Sequence, residues 1–309
     1  MAASSAGKYI VPDSSTISDN QNSIAALRLL VAQRKLYSRS KRWLTTRWIG
    51  MLLIALAAPP IAVVWPKLAV VTGATAGLWV FLGRTILLKF ERGITEKAAA
   101  VQEQFDFTVY GMPPSGQRSE IPSREEIVIL TGPDDVIVSM AEKEELLDWY
   151  TIDTKQRGTV TVAICQRSNA AYWNQLLKST AQVWIVALVV WTILLIAATF
   201  AFKLTFAQFF LGMALPMLPA ALDAWEYWAG IRTAARDRRD MVAAIEDKLA
   251  DNASNLQSND LLIWQERLFD LRRQSPQVPD FIYKLKRKRS EVAMASAVQQ
   301  LSGQTGREN

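Results

Sequence analysis

Charged side chains are missing from four long stretches of the 309-residue chain and crowd the segments between them. The first stretch runs from Trp48 to Pro66, between Arg47 and Lys67. The second runs from Leu68 to Leu88 and is broken only by Arg84 near its end. The third runs from Ser179 to Phe202, between Lys178 and Lys203, and the fourth from Leu204 to Leu222, ending at Asp223. A helix that crosses a bilayer needs about 20 predominantly apolar residues, so each stretch is long enough. Buried helices of a large soluble core are the alternative, but four such runs are hard to hide in a chain of this length.

The stretches form two tight pairs. Trp65-Pro66-Lys67 separates the first two, and Lys203-Leu204-Thr205 the last two. Links this short force antiparallel hairpins. The pattern predicts a mainly α membrane protein with four transmembrane helices as two hairpins. Helical extensions form a cytoplasmic domain with a small strand or turn-rich insert. The plan is a tail and basic amphipathic helix (1–47), hairpin 1 (48–88), a middle domain (89–178), hairpin 2 (179–222) and C-terminal helices (223–309).

Periodicity outside the spans is mostly helical. Ile24, Leu27, Val31 and Leu36 share a face of a helix over 19–47, capped by Ser18 or Asp19 and running into the first span. Phe90, Ile94, Ala98, Val101 and Phe105 carry the second span onward to about Phe105. Gly111 to Asp135 is rich in turn residues and encloses Ile127–Leu130, a strand candidate. Ser139–Trp149 reads as an acidic helix. Thr159–Ile164 alternates and is β-branched, the pattern of a strand, while Ser168–Val183 is helical into the third span. Trp225 to Leu249 keeps helical spacing, Asn252–Asn259 breaks it, and Leu261–Arg273 resumes it. Ser275–Asp280 is a turn, and a last helix starts near Phe281 with the basic run Lys284–Arg289. The first dozen residues read as a disordered tail.

Charge orients this plan. The 35 Lys and Arg lie almost wholly outside the hairpins, with one Lys at each tip. The positive-inside rule then puts both termini and the middle segment in the cytoplasm. Arg34, Lys35, Arg39, Lys41, Arg42 and Arg47 crowd the approach to the first span, and Trp43, Trp48, Trp65, Trp225 and Trp228 fall near the expected interfaces. A signal peptide would not begin so late, behind a charged stretch. One Cys gives no sign of an oxidising compartment.

No charge sits at mid-span depth, which argues against ion-coupled transport. The polar residues inside are Thr72, Thr75, Thr192, Thr199 and Gln208, so a pore between these helices would be apolar and gated by geometry or wetting. Gly73 and Gly77 form a GxxxG face for helix packing or oligomerisation. Pro59 and Pro60 should kink or break the first span, and Pro216 and Pro219 the fourth, as hinges or simply as shape.

Composition removes most enzymes. With no His there is no Ser-His-Asp triad, no Cys-His dyad and no HExxH zinc site. There is no P-loop, GxGxxG or GxSxG. The pairs Glu125-Glu126 and Asp134-Asp135 lie in surface-like sequence. No catalytic residue, metal or cofactor is expected. The run Lys284–Arg289 fits a solvated face, a lipid-headgroup contact or an anionic ligand. Cys165 fits a small buried residue better than a reactive thiol.

Several short motifs, in order around the spans, resemble the SMODS-associated four-transmembrane effectors of bacterial anti-phage (CBASS) systems. They are Ala32-Gln-Arg34 with Tyr37, Glu103-Gln-Phe-Asp106, Asp148-Trp-Tyr150, Ile164-Cys-Gln-Arg-Ser-Asn169 with Trp173, Arg272 with Pro276, and Val278-Pro-Asp280 with Tyr283. Where the family commonly has an acid after the tryptophan, this chain has Asn174. The resemblance implies helix rather than strand at Thr159–Ile164. It also implies an inner-membrane effector that binds a cyclic oligonucleotide through its cytoplasmic part, then assembles or opens.

Phosphates need Arg or Lys forks and bases need planar surfaces. The ligand candidates are therefore Arg34, Arg167, Arg272 and Arg273, with Asn169, Tyr150, Trp173 and Tyr283. The bland alternative for Arg167 is an ion pair with Asp148 or Asp106. Four apolar spans leave little room for a channel within one chain, so a homo-oligomer is expected. The partners are the bilayer and the nucleotide, with no double-stranded nucleic acid. The rival reading is a membrane scaffold or receptor whose C-terminal helices bind a protein.

Overall fold

The computed structural model describes residues 9–114, 118, 120–210, 214–252, 255–280, 282–283 and 296. Ten α-helices are described: α1 (Ser14–Gln21), α2 (Ile24–Val64), α3 (Ala69–Leu82), α4 (Leu88–Tyr110), α5 (Arg124–Thr131), α6 (Ile137–Lys143), α7 (Gly158–Ala201), α8 (Phe206–Phe209), α9 (Leu215–Asn252) and α10 (Ser258–Arg273). No strand occurs among the described residues.

Three helices dominate. α2 has 41 residues, α7 has 44 and α9 has 38, about 60 Å each at 1.5 Å per residue. That is twice the hydrocarbon thickness of a bilayer, and each helix divides accordingly. Toward the hairpin tips the apolar side chains face outward: Leu53, Leu56, Ile193, Phe200 and Leu222 are more than half exposed. Away from the tips the same helices bury Leu27, Leu30, Ile164, Ile231 and Ile245 almost completely. Apolar surface is strongly driven out of water, so the outward half is made for lipid. Two helical stretches of the described residues, Val70–Tyr110 and Gly158–Ala201, are long and apolar enough to cross a membrane.

The tips fall where the short links lie. α2 ends at Trp65, and a 3₁₀ turn over Pro66–Leu68 reverses the chain into α3. Lys203 takes a positive φ, and Thr205 caps α8 through a reciprocal box with Gln208. A π-helical segment, Gly83–Leu87, joins α3 to α4. α2 packs along α4, α7 along α9, and α3 leans on α9, so the two hairpins touch. At Gly50 a Cβ would fall 2.1 Å from the Trp79 ring, so the indole lies on bare α2 backbone, its Nε1 donating to the Arg47 carbonyl at 3.2 Å.

Several expectations are corrected. Ile127–Leu130 lies in helix α5, not a strand. Ser123 accepts from the Glu126 N–H and Glu126 accepts from the Ser123 N–H, a capping box that decides an otherwise ambiguous apolar run. Thr159–Ile164 is also helical, as the family resemblance implies. Val160 to Gln166 are all buried, so tertiary packing on every side overrides β-branched propensity. The helix expected over 19–47 is interrupted at Asn22, and Ser23, not Ser18 or Asp19, caps the long helix by accepting from the Ala26 N–H. The acidic helix is shorter: α6 stops at Lys143, and Glu145 and Asp148 take positive φ in the turn that follows.

Residues 9–12 are not a loose tail, since buried Tyr9 donates to the Tyr110 carbonyl at 2.8 Å. Pro59 and Pro60 do not break α2, which is continuous through both. In apolar surroundings, leaving the helix would expose still more unpaired backbone groups. Pro216 is the second residue of α9, which directly follows π-helical Ala214, and Pro219 lies within the helix; neither ends it. The basic run Lys284–Arg289 and most of the last expected helix lie outside the described residues.

Candidate functional site

The motifs of the sequence converge in space around Asp106 on α4. Its carboxylate accepts from Tyr150 Oη at 2.7 Å, Gln265 Nε2 at 2.8 Å and Arg272 Nη1 at 2.6 Å. Asp106 and Arg272 are both buried. Gln166 joins Gln265 at 3.0 Å and the Leu261 carbonyl at 2.9 Å, which ties α7 to α10. Burial works against the charge on Arg272, and Asp106 more than offsets it, so the guanidinium stays firmly protonated. Burial pushes the Tyr150 phenol well above its ordinary range, with Asp106 adding to the rise. A second buried acid on α4, Glu103, takes a two-pronged contact from Arg118 at 2.9 Å per arm. The Arg118 guanidinium also lies 3.9 Å from the Phe269 ring centroid.

Nearby, buried Arg238 on α9 donates to the Ala234 and Leu271 carbonyls, at 2.9 and 2.6 Å. Burial pulls its pKa down to about 10, and Tyr37 opposes the fall. Tyr37, pushed up to about 12 by burial, donates to Gln102 at 3.0 Å. These groups hold helices together and are not open to a ligand. Tyr150, Arg272 and Asn169 are therefore interior residues. Arg167 is only slightly exposed and is held by Glu246 at 2.7 Å, rather than by Asp148 or Asp106. Arg273 pairs with Asp270 at 3.0 Å and lies over Phe269. Cys165 is buried, and burial pushes its thiol up.

The ligand candidates divide into separate places. Arg34 and Tyr283 stand together elsewhere, Arg34 on a groove of about 420 Å³ along α2 and Tyr283 against Arg34. Its walls carry Arg34, Lys35, Ser38, Arg39 and Arg42, facing Glu144. A second hollow of about 600 Å³ shares Ser38 and Arg42 and continues the groove past Lys41 and Asp280 toward the membrane. Arg34 Nη1 donates to Tyr283 Oη at 3.2 Å, and its Nε lies 3.2 Å from Glu144. Lys41 pairs with Asp280 at 2.8 Å and lies 5.1 Å from the centre of the Tyr283 ring. Trp173 is further along the same side, in edge contact with Tyr172, which in turn meets Tyr283.

Candidate selection by motif thus picked Arg34 and Tyr283 but passed over Lys35, Arg39, Lys41 and Arg42. Their signal was the crowding of cations before the first span. Asp106, the centre of the buried network, was visible as part of a motif and as a possible partner of Arg167, not of Arg272.

Where the apolar stretches end, away from the hairpin tips, a second set of charges gathers. Arg84, on the π-helical segment, reaches Asp223 at 3.2 Å and Glu226 at 2.9 Å on α9. Arg47 lies 3.7 Å from Glu91, and both are buried. Of the GxxxG pair, Gly77 has nothing among the described residues within 4 Å of a Cβ position.

A family model described as the SMODS-associating 4TM effector domain matches residues 15–301. The chain belongs to that family. Its match covers both hairpins, the Asp106 network and the α2 groove. A relative from Bacillus cereus (strain VD146), named a probable CBASS effector molecule, is 21% identical over 289 residues, covering 89% of this chain and 95% of the relative. No solved structure matches the chain.

Proposed function

We propose that this family member permeabilises the bacterial inner membrane when its cytoplasmic part binds a cyclic oligonucleotide. It acts without catalysis, in anti-phage defence. In this reading four spans form two hairpins, both termini are cytoplasmic, and several copies assemble.

The observation that carries the reading is the continuity of α2, α7 and α9. Each is one unbroken helix from an outward-facing apolar half into a buried polar-networked half. A helix transmits a displacement along its length because its packing has discrete arrangements. A ligand that re-sorts contacts in the body would therefore move the spans.

The chemistry of the spans fits a gate that works by wetting. The hydroxyls of Thr75, Thr192 and Thr199 each bond the carbonyl four residues back on their own helix, at 2.8–2.9 Å. With those donors engaged, the walls offered to water are apolar, and an apolar constriction conducts only once it widens.

Dye or ion efflux from liposomes holding the purified protein, with a panel of cyclic di- and trinucleotides, tests the proposal. Efflux with one of them is the expected result. Verified insertion with no efflux for any of them would favour a scaffold that anchors a protein partner.

A further inference from the structure

We propose that the groove along α2 receives the phosphodiesters of the activating nucleotide, and that binding there releases the clasp that Asp280 and Tyr283 make on Lys41 and Arg34. This rests on the functional reading above and adds to it a location and a trigger.

The groove is a charge-unbalanced surface built by helical spacing. Arg34, Ser38, Lys41 and Thr45 recur every three or four residues, with Lys35, Arg39 and Arg42 in the adjoining row. Five cations face two carboxylates. Both carboxylates reach in from elsewhere: Glu144 from the turn after α6, and Asp280 from the segment after α10. They engage only Arg34 and Lys41. Among the described residues Arg39 and Arg42 have no ion-pair or hydrogen-bond partner. The middle of the groove is therefore an open guanidinium pair, the donor set that suits a phosphodiester. The Tyr283 ring lies against Arg34 and Lys41, 5.5 and 5.1 Å from its centre, and offers a surface on which a base stacks once those cations turn to the phosphate.

Occupation has a mechanical consequence. A phosphate seated on Arg39 and Arg42 competes for the neighbouring Arg34 and Lys41, the same cations that hold Tyr283 and Asp280. The clasp does more than engage these two cations. Val278 and Ile282 are buried in one cluster with Leu44, Leu176, Tyr227 and Ile231, which come from α2, α7 and α9. Tyr227 Oη donates to the Gln277 carbonyl at 2.6 Å. The segment thus joins hairpin 1 to hairpin 2 just inside the membrane, beside Trp48 and Trp184. Loosening it removes one of the ties between the hairpins, leaving the α3–α9 packing and the Arg84 bridge.

The test uses the full chain in nanodiscs of neutral lipid, with labelled cyclic di- and trinucleotides. Binding is read by anisotropy, and peptides 34–46 and 276–283 are followed by hydrogen exchange. One nucleotide is expected to bind, slowing exchange in 34–46 and speeding it in 276–283. Arg39→Glu/Arg42→Glu should weaken binding at least about tenfold, while Arg236→Glu/Arg239→Glu, at exposed sites on α9, should not. Asp280→Asn, which loosens the clasp and spares Arg39 and Arg42, should raise leakage without ligand.

A nucleotide that binds and triggers efflux equally well in the Arg39→Glu/Arg42→Glu variant would overturn the groove assignment and leave the proposed function standing. No nucleotide binding to the parent protein would overturn both. Slowed exchange in 34–46 on adding phosphatidylglycerol, with none on adding nucleotide, would make lipid the occupant and overturn the inference.

Discussion

Arg84 Nε lies 3.2 Å from Asp223 Oδ1, and this pair joins the end of hairpin 1 to the end of hairpin 2. In sequence both residues are interruptions: one breaks the second apolar stretch and the other ends the fourth. Together they mark the depth at which lipid gives way to the body. Arg84 also reaches Glu226 on the same helix at 2.9 Å, so the double change Asp223→Asn/Glu226→Gln should remove the bridge. With the Arg84 side chain 38% exposed, the loss of stability should be small, on the order of 1 kcal/mol. Leakage without ligand should rise if the bridge holds the hairpins closed. Thermal unfolding in detergent and basal efflux from liposomes read the two effects separately.

Gly50 lies under the Trp79 ring, so Gly50→Ala overpacks the first hairpin. The clash is with a rigid indole, and overpacking of this kind costs about 1–3 kcal/mol. A lowered unfolding temperature is expected, largely restored in Gly50→Ala/Trp79→Leu. No rescue by the second change would show that the contact does not set the hairpin geometry.

Asp106→Asn leaves Arg272 buried beside a neutral amide. Breaking a buried pair from one side typically costs about 3–5 kcal/mol, enough to lower the folded yield sharply. Replacing both members, as in Asp106→Asn/Arg272→Met, should recover much of the loss. Yield and thermal unfolding of the single and double variants check this.

Gly77→Leu should leave the unfolding temperature of the dispersed chain nearly unchanged, because a Cβ there has nothing among the described residues within 4 Å. If this face packs between copies, the same change lowers the cross-linked oligomer fraction in membranes. An unchanged oligomer would place the interface elsewhere.

Glu91 follows the second apolar stretch and should give the chain a pH response. Burial pushes its carboxyl from 4.5 up to about 7, with Arg47 opposing and Asp223 adding to the rise. A carboxyl raised on folding contributes most when protonated. Its contribution is full below about pH 4.5 and is lost as the pH climbs through 7. The unfolding temperature should therefore fall between pH 5 and 8, and Glu91→Gln should flatten that part of the curve. Parallel profiles for both proteins would exclude Glu91 as the source.

Sequence and structure divide the explanation along a physical line. The four uncharged stretches, the tip positions and the helical run-on of the spans were legible, because each depends only on local spacing and on the presence or absence of charge. Arg34 and Tyr283 were legible as motif residues, and Lys35, Arg39, Lys41 and Arg42 as a basic crowd. Ile127–Leu130 and Thr159–Ile164 were not readable from alternation. A short apolar run carries the same pattern in a strand and in a buried helix, and only the Ser123–Glu126 cap and the packing around α7 choose between them.

That Tyr150 and Arg272 face Asp106, and that Arg167 faces Glu246 instead, depends on contacts between residues far apart in the chain. So does the placing of Arg34 beside Tyr283. The sequence by itself determined where the chain avoids water and which sign of charge borders those segments, since hydration acts residue by residue. Tertiary structure alone decided which of the many cations are neutralised inside the body and which two remain open along α2. Partner choice is a matter of distance in space, and distance is what folding supplies.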